Sequence, residues 1–261
     1  MMSDLPAHDE FLNLAEKLAD KSRAMLLEAR KAPPQVEIKA DASYVTTTDK
    51  AVETALREMI MQRFPAHGIL GEEFESLNTD AEFVWVLDPI DGTAPFIAGI
   101  PVYGTLIGLA WNGRPFLGVI DHPATADRWT GVSGRFASRN GTPVRVRLCD
   151  ELEDAFVTCS NADFMTPADQ ARFARIRQRA RYVQYGGSCY AYGVLASGRT
   201  DLAIDGGLGP FDVYACAAVI EGAGGHFTDW QGNALSFDMA GTVIAAGDPK
   251  RLSEALSILQ L

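Results

Sequence analysis

The second half of the chain alternates strand-like and helix-like segments, and this alternation narrows the choice of fold more than any other feature. Strand patterns occur in five segments: AFVTCSN, RYVQYGG, TDLAID, HFTDW and TVIAAG. Helical patterns lie between most of them, as in PADQARFARIRQRA, SCYAYGVLASG and PFDVYACAAVIEGAGG. The final segment, DPKRLSEALSILQ, begins with Asp248 as an expected N-cap and Pro249 at the first helical position. Such alternation indicates a layered α/β sheet with crossover connections.

The first half has a different organisation, with helices followed by hairpins. Residues 9–30 carry apolar side chains close to helical spacing, and the segment DKAVETALREMIMQRF repeats that pattern. The apolar segments YGTLIGLAW and RPFLGVIDH flank Asn112-Gly113, a pair that suits a type I′ turn. Asn140-Gly141 marks another turn. Because the composition changes near residue 150, we predict two domains, 1–150 with helices and a hairpin-rich sheet, and 151–261 with an α/β arrangement.

The charge of the chain excludes several classes of partner. Its 261 residues include 34 acidic and 23 basic side chains, which gives a net charge of −11. Such a surface repels nucleic-acid phosphates and anionic lipid, so we expect no nucleic-acid or membrane partner. The start, MMSDLPAHDEF, lacks the layout of a signal peptide, and the four cysteines form no CxxC pair. We therefore expect a cytoplasmic protein with reduced thiols and no zinc centre.

The segment DPIDGT is the sharpest chemical feature. It follows FVWVL, residues 83–87, a continuous apolar run that predicts a strand covered on both faces, which we expect Pro89 to end. Asp88 and Asp91 lie three residues apart, and like charges held close repel unless a cation lies between them or one is protonated. Oxygen ligands without His or Cys favour Mg²⁺, Mn²⁺ or Ca²⁺. An ordinary Asp-Pro turn is the alternative interpretation.

Three further segments carry carboxylates at the ends of predicted elements. Glu72 and Glu73 follow a predicted strand, while Asp49 and Asp212 each open a predicted helix. Taken singly, the glutamates fit a solvated loop and the aspartates fit helix N-caps; Asp49 lacks a full capping box because position 52 is Val. Taken together, four such segments describe a multi-metal oxygen site of the kind used for phosphoryl transfer to water.

The motifs GEE, WVLDPIDGT and FDVYACAAVIEGAGG resemble the inositol monophosphatase superfamily of magnesium-dependent, lithium-sensitive phosphatases, from about Asp9 to Leu261. Several stretches are most similar to the bacterial histidinol-phosphate phosphatase branch, among them GILGEEF, PVYGTLIGL, GRPFLGVIDHP and YGGSCYAYG. The resemblance implies an α/β (α+β) fold, a layered α-β-α-β-α sandwich of the inositol monophosphatase and fructose-bisphosphatase type. It also implies a homodimer whose substrate is a small-molecule phosphate monoester.

The same resemblance implies a set of metal ligands and catalytic groups. The ligands for two or three Mg²⁺ ions, or Mn²⁺, match four carboxylates and one backbone carbonyl: Glu72, Asp88, Asp91, Asp212 and the carbonyl of Ile90. Thr93, paired with Asp49, matches the threonine that orients and deprotonates the attacking water, and Glu72 takes part in both metal binding and catalysis. The amides of Gly92 and Thr93 are expected to bind the phosphate.

The substrate side is less uniform. Asp205 falls seven residues before Asp212, where the family places an acidic residue against the organic part of the substrate, and Ser188 is the second candidate there. The histidinol-phosphate branch usually has a basic residue directly after DGT, where this chain has Ala94-Pro95. The inositol enzymes usually have Asn before the Phe of this motif, where this chain has Pro95. Ser188 replaces the usual Asp of the histidinol-phosphate branch.

Histidinol phosphate is therefore the first expected substrate, and inositol 1-phosphate, another sugar phosphate or a nucleotide 3′-phosphate is the alternative. A hypothesis of a different class is a non-catalytic phosphate-binding regulatory protein on the same fold. That hypothesis predicts the loss of Glu72, Asp49 or Thr93, and all three are present.

Overall fold

The computed structural model describes residues 6–39, 43–239 and 241–260. Within these ranges the helices are α1 (Asp9–Ala29), α2 (Thr47–Arg63), α3 (Thr93–Ala98), α4 (Pro167–Arg179), α5 (Ser188–Ala196), α6 (Pro210–Gly222) and α7 (Pro249–Leu259). The strands are β1 (Val36–Ile38), β2 (Tyr44–Thr46), β3 (Gly68–Gly71), β4 (Phe83–Asp91), β5 (Gly104–Trp111), β6 (Arg114–His122), β7 (Asp127–Val132), β8 (Phe136–Arg139), β9 (Thr142–Pro143), β10 (Phe156–Cys159), β11 (Tyr182–Tyr185), β12 (Leu202–Asp205), β13 (His226–Asp229) and β14 (Val243–Ala246). The first five residues, which bear on the expected absence of a signal peptide, lie outside this description.

These elements stack in five layers, which confirms the predicted sandwich. Helices α1 and α2 cover one face of a seven-stranded sheet of order β3-β4-β5-β6-β7-β8-β9. Helices α5 and α6 fill the middle, between that sheet and a five-stranded sheet of order β11-β10-β12-β14-β13. Helices α4 and α7 form the outermost layer. The second sheet is mixed, because β10, β11 and β12 run parallel while β14 pairs antiparallel with β12 and β13.

In the described part of the chain, three hydrophobic cores hold the layers together. The first joins α1 and α2 to the large sheet and includes Leu18, Leu56 and Trp85. The middle core draws on both halves of the chain, from Val86 on β4 to Val213 on α6. The third lies under α4 and α7. The two sheets separate between β9 and β10, near residue 150. Because the middle core is shared, a division into two domains at that point stays a prediction.

Strand β4 is longer than the sequence predicts. Pro89 does not end it: β4 runs on to Asp91, and its pairing with β5 is interrupted after Asp88 and resumes where Asp91 faces Gly104. A proline removes one donor from the ladder, and strands tolerate it at such irregularities. Here the carbonyl of Pro89 accepts a 2.9 Å hydrogen bond from the Thr105 hydroxyl. Asp88 and Asp91 therefore lie on a strand of the sheet rather than in a free turn.

The two predicted turns form as expected. Asn112 and Gly113 join β5 to β6 with φ values of 49° and 74°. Asn140 and Gly141 join β8 to β9 with φ values of 50° and 76°. Two consecutive residues with positive φ are the signature of the type I′ hairpin turn, for which Asn-Gly is the favoured pair.

Helix α6 lies directly on the backbone of the large sheet. Gly108, Gly118 and Gly131 face one another in register across β5, β6 and β7. A Cβ atom on Gly118 would lie 2.1 Å from the carbonyl oxygen of Ala215, and one on Gly131 would lie 2.6 Å from a backbone atom of α6. Only glycine permits this approach. These three glycines, here called the glycine row, thus fix the distance of α6, and of its first turn, from the sheet.

The four cysteines are free and buried, in agreement with the expected reduced thiols. No helix in the described part of the chain is long and apolar enough to cross a membrane.

Candidate metal centre

Three aspartates converge at one end of the large sheet. Asp88 and Asp91 come from the last residues of β4, and Asp212 comes from the first turn of α6. One carboxylate oxygen from each lies within 4.8 Å of the others. Asp88 is buried, and the other two are partly exposed. The structure therefore brings together three of the four predicted metal-binding carboxylates in one cluster open to one side.

Glu72, the fourth, lies beside Asp88. Strand β3 runs parallel to β4 with Gly71 opposite Leu87, so the chain leaves β3 next to the position of Asp88. The N–H of Glu72 donates a 3.2 Å hydrogen bond to the carbonyl of Leu87. Its carboxyl group lies within hydrogen-bonding reach of that of Asp88. The predicted ligand set is thus assembled from β3, β4 and α6.

The cluster is electrostatically costly without a cation. Burial, and then the charges of Glu72, Asp91 and Asp212, raise the pKa of Asp88 well above its usual range. Burial, and then Asp91 and Glu72, do the same for the pKa of Asp212. Burial raises the pKa of Glu72 to about 7 against the opposing effect of Lys39.

One atom of the cluster is suited to coordinate a cation. Oδ1 of Asp88 is buried and has no hydrogen-bond partner among the described residues. An unpartnered buried carboxylate oxygen is strongly unfavourable unless a cation coordinates it. Since every candidate donor is an oxygen, the site fits a hard divalent cation such as Mg²⁺ or Mn²⁺.

Thr93 and Asp49 meet next to this cluster. The Thr93 hydroxyl lies 3.0 Å from the carbonyl oxygen of Ile90 and 3.4 Å from Oδ1 of Asp49, and either oxygen can accept its single proton. The predicted pair is therefore in contact. The carbonyl of Ile90, a predicted metal ligand, lies next to the same hydroxyl. Burial raises the pKa of Asp49, while hydrogen bonds from Thr46 and Thr93 oppose the rise.

Asp49 also stabilises the start of α2, at a different position in the helix from the predicted N-cap. Helix α2 begins two residues earlier than expected, so its N-cap is Thr46 and Asp49 is the third helical residue. The two close a capping box, in which the Thr46 hydroxyl accepts the N–H of Asp49 and Oδ2 of Asp49 accepts the N–H of Thr46 at 2.8 Å. The box was missed because its partner lies before Asp49, not at position 52. Oδ1 remains available to Thr93.

Gly92 separates the ligands from α3. Its φ of 83° is left-handed, and it is the N-cap of α3, whose first residue is Thr93. A Cβ atom on Gly92 would lie 2.8 Å from the carbonyl oxygen of Val102 and 3.0 Å from Oγ of Ser188. Glycine is therefore required for both the conformation and the space.

Ser188 and Asp205, the two predicted substrate-binding residues, come from the second half of the chain. Ser188 begins α5 with a φ of 44°, and its hydroxyl approaches Gly92. Asp205 ends β12 and is only 2% exposed. Its Oδ1 accepts the N–H of Ser160 at 2.6 Å, and its Oδ2 accepts the hydroxyl of Tyr192 at 2.7 Å. Asp205 thus fixes the Ser160 segment beside the site, and its expected contact with substrate stays a prediction.

Lys39, which no sequence motif indicates, forms ion pairs with Glu72 and Glu73. Its ammonium nitrogen lies 3.0 Å from Oε1 of Glu72 and 2.8 Å from Oε1 of Glu73. Burial opposes the charge of Lys39, but the contacts with Glu73 and Glu72 outweigh it and raise the pKa above its ordinary value. A single lysine just after β1 has no spacing or pattern that predicts such a contact. Glu53, buried on α2, was missed for the same reason.

Comparisons with known proteins agree with this geometry. The model of the inositol monophosphatase family matches residues 7–260. The chain is 38% identical to the chloroplastic bifunctional phosphatase IMPL2 of Arabidopsis thaliana, over 97% of this chain and 75% of that protein. It is 34% identical to a histidinol-phosphatase of Chlorobaculum parvum, over 90% of this chain and 91% of that protein.

A solved structure has the same architecture. An inositol monophosphatase from Zymomonas mobilis superimposes with a TM-score of 0.89 at 39% identity, covering 98% of this chain and all of that one. The fold, the assembled carboxylates and the match over nearly the whole length point the same way. The chain therefore belongs to the inositol monophosphatase family, whose members are metal-dependent phosphatases of small phosphate esters.

Proposed function

We propose that this phosphatase hydrolyses histidinol phosphate in a Mg²⁺-dependent reaction. The observation that carries the hydrolytic part is the cluster of Asp88, Asp91 and Asp212, whose oxygens lie within 4.8 Å of one another. Relatives named histidinol-phosphatase, from Chlorobaculum parvum and from Mycobacterium tuberculosis at 33% identity, support the choice of substrate.

The carboxylates of Glu72, Asp88, Asp91 and Asp212, with the carbonyl of Ile90, would hold the metal ions. Bound Mg²⁺ supplies Lewis-acid polarisation of the phosphate and neutralises negative charge. We expect two or three ions, or Mn²⁺ in their place, and sensitivity to lithium.

The remaining groups of the site act on water and phosphate. The Thr93 hydroxyl, held between Ile90 and Asp49, orients a water molecule for attack, and Asp49 accepts its proton through Thr93. Because burial raises the pKa of Asp49, this carboxylate is a better proton acceptor than an exposed aspartate. The amides of Gly92 and Thr93, at the start of α3, donate to the phosphate oxygens.

A second substrate, inositol 1-phosphate or a related sugar phosphate, is favoured by one observation. Ser188 offers a neutral hydroxyl near Gly92, where a carboxylate would suit a cationic substrate better. The 39% identity to the inositol monophosphatase from Zymomonas mobilis is consistent with this alternative.

Phosphate release is the test that separates these substrates. Histidinol phosphate, inositol 1-phosphate, glycerol phosphates and adenosine 3′,5′-bisphosphate should be compared at saturating Mg²⁺. We expect the highest kcat/KM for histidinol phosphate, and a higher value for inositol 1-phosphate would establish the alternative. Absence of Mg²⁺- or Mn²⁺-dependent release from all of them would leave the non-catalytic hypothesis in its place.

The remaining properties of the family are proposed with it. We expect a homodimer, which light scattering at micromolar concentration would detect as a doubled mass of the 28.2 kDa chain. We also expect a cytoplasmic location, supported by four free buried thiols.

A further inference from the structure

Helix α2 carries a second buried carboxylate, Glu53, one turn after Asp49. Glu53 is fully buried, and both of its oxygens have partners. Oε2 accepts the backbone N–H of Glu73 at 2.8 Å, and Oε1 accepts Nε–H of Arg57 at 2.7 Å. Two successive turns of α2 thus direct carboxylates at the site: Asp49 contacts Thr93, and Glu53 contacts the chain that carries Glu72.

Arg57 extends this contact along the same segment. Its second guanidinium nitrogen donates a 3.2 Å hydrogen bond to the carbonyl of Phe74, and the guanidinium lies 5.7 Å from the centre of the Phe74 ring. Glu53 and Arg57 therefore bind backbone groups of two consecutive residues, the N–H of Glu73 and the carbonyl of Phe74. Side chains of one helix hold a segment that has no helix or strand of its own there.

The absence of a side chain at Gly71 allows the carboxylate of Glu53 to approach the end of β3 closely. A Cβ atom on Gly71 would lie 2.0 Å from Oε1 of Glu53 and 2.4 Å from its carboxyl carbon. The carboxylate thus occupies the space next to the last residue of β3. Glu72 is fixed on both sides, because its own N–H donates to Leu87 and the next N–H donates to Glu53.

We infer that Glu53, supported by Arg57, is a positioning residue that aims the carboxylate of Glu72 at the metal centre. This inference rests on the proposed metal-dependent function. A buried ion pair gives little net stability compared with apolar packing, so the geometry it imposes is the better reason for its presence. Groups that orient metal ligands typically alter metal affinity by 10- to 100-fold when they are removed.

The test compares three variants by their affinity for Mg²⁺. Glu53→Leu fills the space but offers no acceptor, Glu53→Gln keeps an acceptor for the N–H of Glu73, and Glu58→Gln changes an exposed residue of the same helix. Calorimetry with Mg²⁺ alone, together with the melting temperature against Mg²⁺ concentration, gives the affinity without turnover. We expect Glu53→Leu to raise the Kd for Mg²⁺ by about 10- to 100-fold.

Turnover separates positioning from general damage. At saturating Mg²⁺, kcat of Glu53→Leu on p-nitrophenyl phosphate should stay within a few-fold of wild type. Glu53→Gln should restore most of the affinity, and Glu58→Gln should match wild type throughout. If folded Glu53→Leu has an unchanged Kd for Mg²⁺, the inference is overturned. This holds also when kcat of the variant falls at saturating Mg²⁺ while its Kd stays unchanged.

Two further variants keep the test decisive. If Glu53→Leu does not fold, Arg57→Met replaces it, because it removes the side chain that supports Glu53, and a wild-type Kd for Mg²⁺ in that variant overturns the inference. Glu72→Gln shows which idea has failed. If wild type binds Mg²⁺ but Glu72→Gln binds it equally well, the proposed metal site is wrong, whereas a weakened Glu72→Gln beside an unaffected Glu53→Leu removes only the positioning role.

Discussion

The backbone N–H of Cys189 donates a 2.6 Å hydrogen bond to Oδ2 of Asp91. Asp91 ends a strand of the large sheet, and Cys189 lies in the first turn of α5, so this bond joins the two halves of the chain at the metal centre. Burial raises the pKa of Asp91, and the hydrogen bonds from Cys189 oppose the rise. The second half of the chain thereby helps to keep Asp91, a proposed metal ligand of the first half, ionised.

Asp88→Asn should abolish phosphate release while leaving the fold intact. The substitution deletes a hard-cation ligand but also removes one of several mutually repelling buried charges. We therefore expect the melting temperature without Mg²⁺ to rise and the increase produced by Mg²⁺ to disappear. Near-wild-type turnover at saturating Mg²⁺ would contradict the assignment of Asp88 as a ligand.

The Thr93 and Asp49 pair should behave as one unit. Thr93→Ala should lower kcat by about 10²- to 10⁴-fold, the usual range for lost acid–base assistance. Asp49→Asn is the matched change, because its remaining carbonyl oxygen can still accept the N–H of Thr46 and keep the cap of α2. The double variant should be little slower than either single variant. Losses that multiply in full would show that the two residues act separately.

Asp205→Ala should reduce kcat/KM for histidinol phosphate more than for p-nitrophenyl phosphate. Asp205 holds the N–H of Ser160, and we expect this region to recognise the organic part of the substrate, a recognition that p-nitrophenyl phosphate does not need. Tyr192→Phe is a suitable control, since it removes one partner of Asp205 and leaves the carboxylate. Equal losses for both substrates would make Asp205 a purely structural residue.

Ser188→Asp should raise the ratio of kcat/KM for histidinol phosphate to that for inositol 1-phosphate. A carboxylate at the start of α5 would attract a cationic substrate and is compatible with the positive φ of 44°. The ratio, measured in one buffer at one Mg²⁺ concentration, cancels general effects on the metal centre. An unchanged ratio would remove most of the support for histidinol phosphate.

His122 should make the protein less stable in acid. It is 1% exposed, its Nδ1 lies 3.1 Å from the Thr125 hydroxyl, and its Nε2 has no partner in the described chain. Burial lowers its pKa to about 4, although Asp127 and Asp121 oppose the change. Because the unfolded chain takes up the proton first, stability present above pH 6.5 is lost as the pH falls toward 4.

Urea unfolding at several pH values measures this effect. Between pH 7 and pH 5 the contribution of His122 to the free energy of unfolding should fall by about 2 kcal/mol. The difference between wild type and His122→Gln isolates this contribution from those of the buried carboxylates, whose raised pKa values act in the opposite direction. Parallel pH profiles for the two proteins would contradict the prediction.

Local sequence patterns predicted the elements and singled out the four candidate metal-binding carboxylates, because apolar periodicity and the DPIDGT motif need no knowledge of distant contacts. Pro89 was misread because its place within β4 depends on pairing with β5, in particular on Thr105. Lys39 and Glu53 were missed because their partners are reached only when separate segments pack together. Charged residues in such positions look like ordinary surface residues in sequence.

The glycine row under α6 has a consequence for how this site tolerates change. Since no side chain of Gly108, Gly118 or Gly131 separates helix from sheet, the separation between Asp212 and the aspartates of β4 is set by main-chain dimensions. Substitutions elsewhere in the middle core can therefore alter the stability of the protein while the spacing of the carboxylates is conserved. A single methyl group on one of these glycines would act as a spacer, displacing Asp212 relative to the aspartates of β4 without touching any of them.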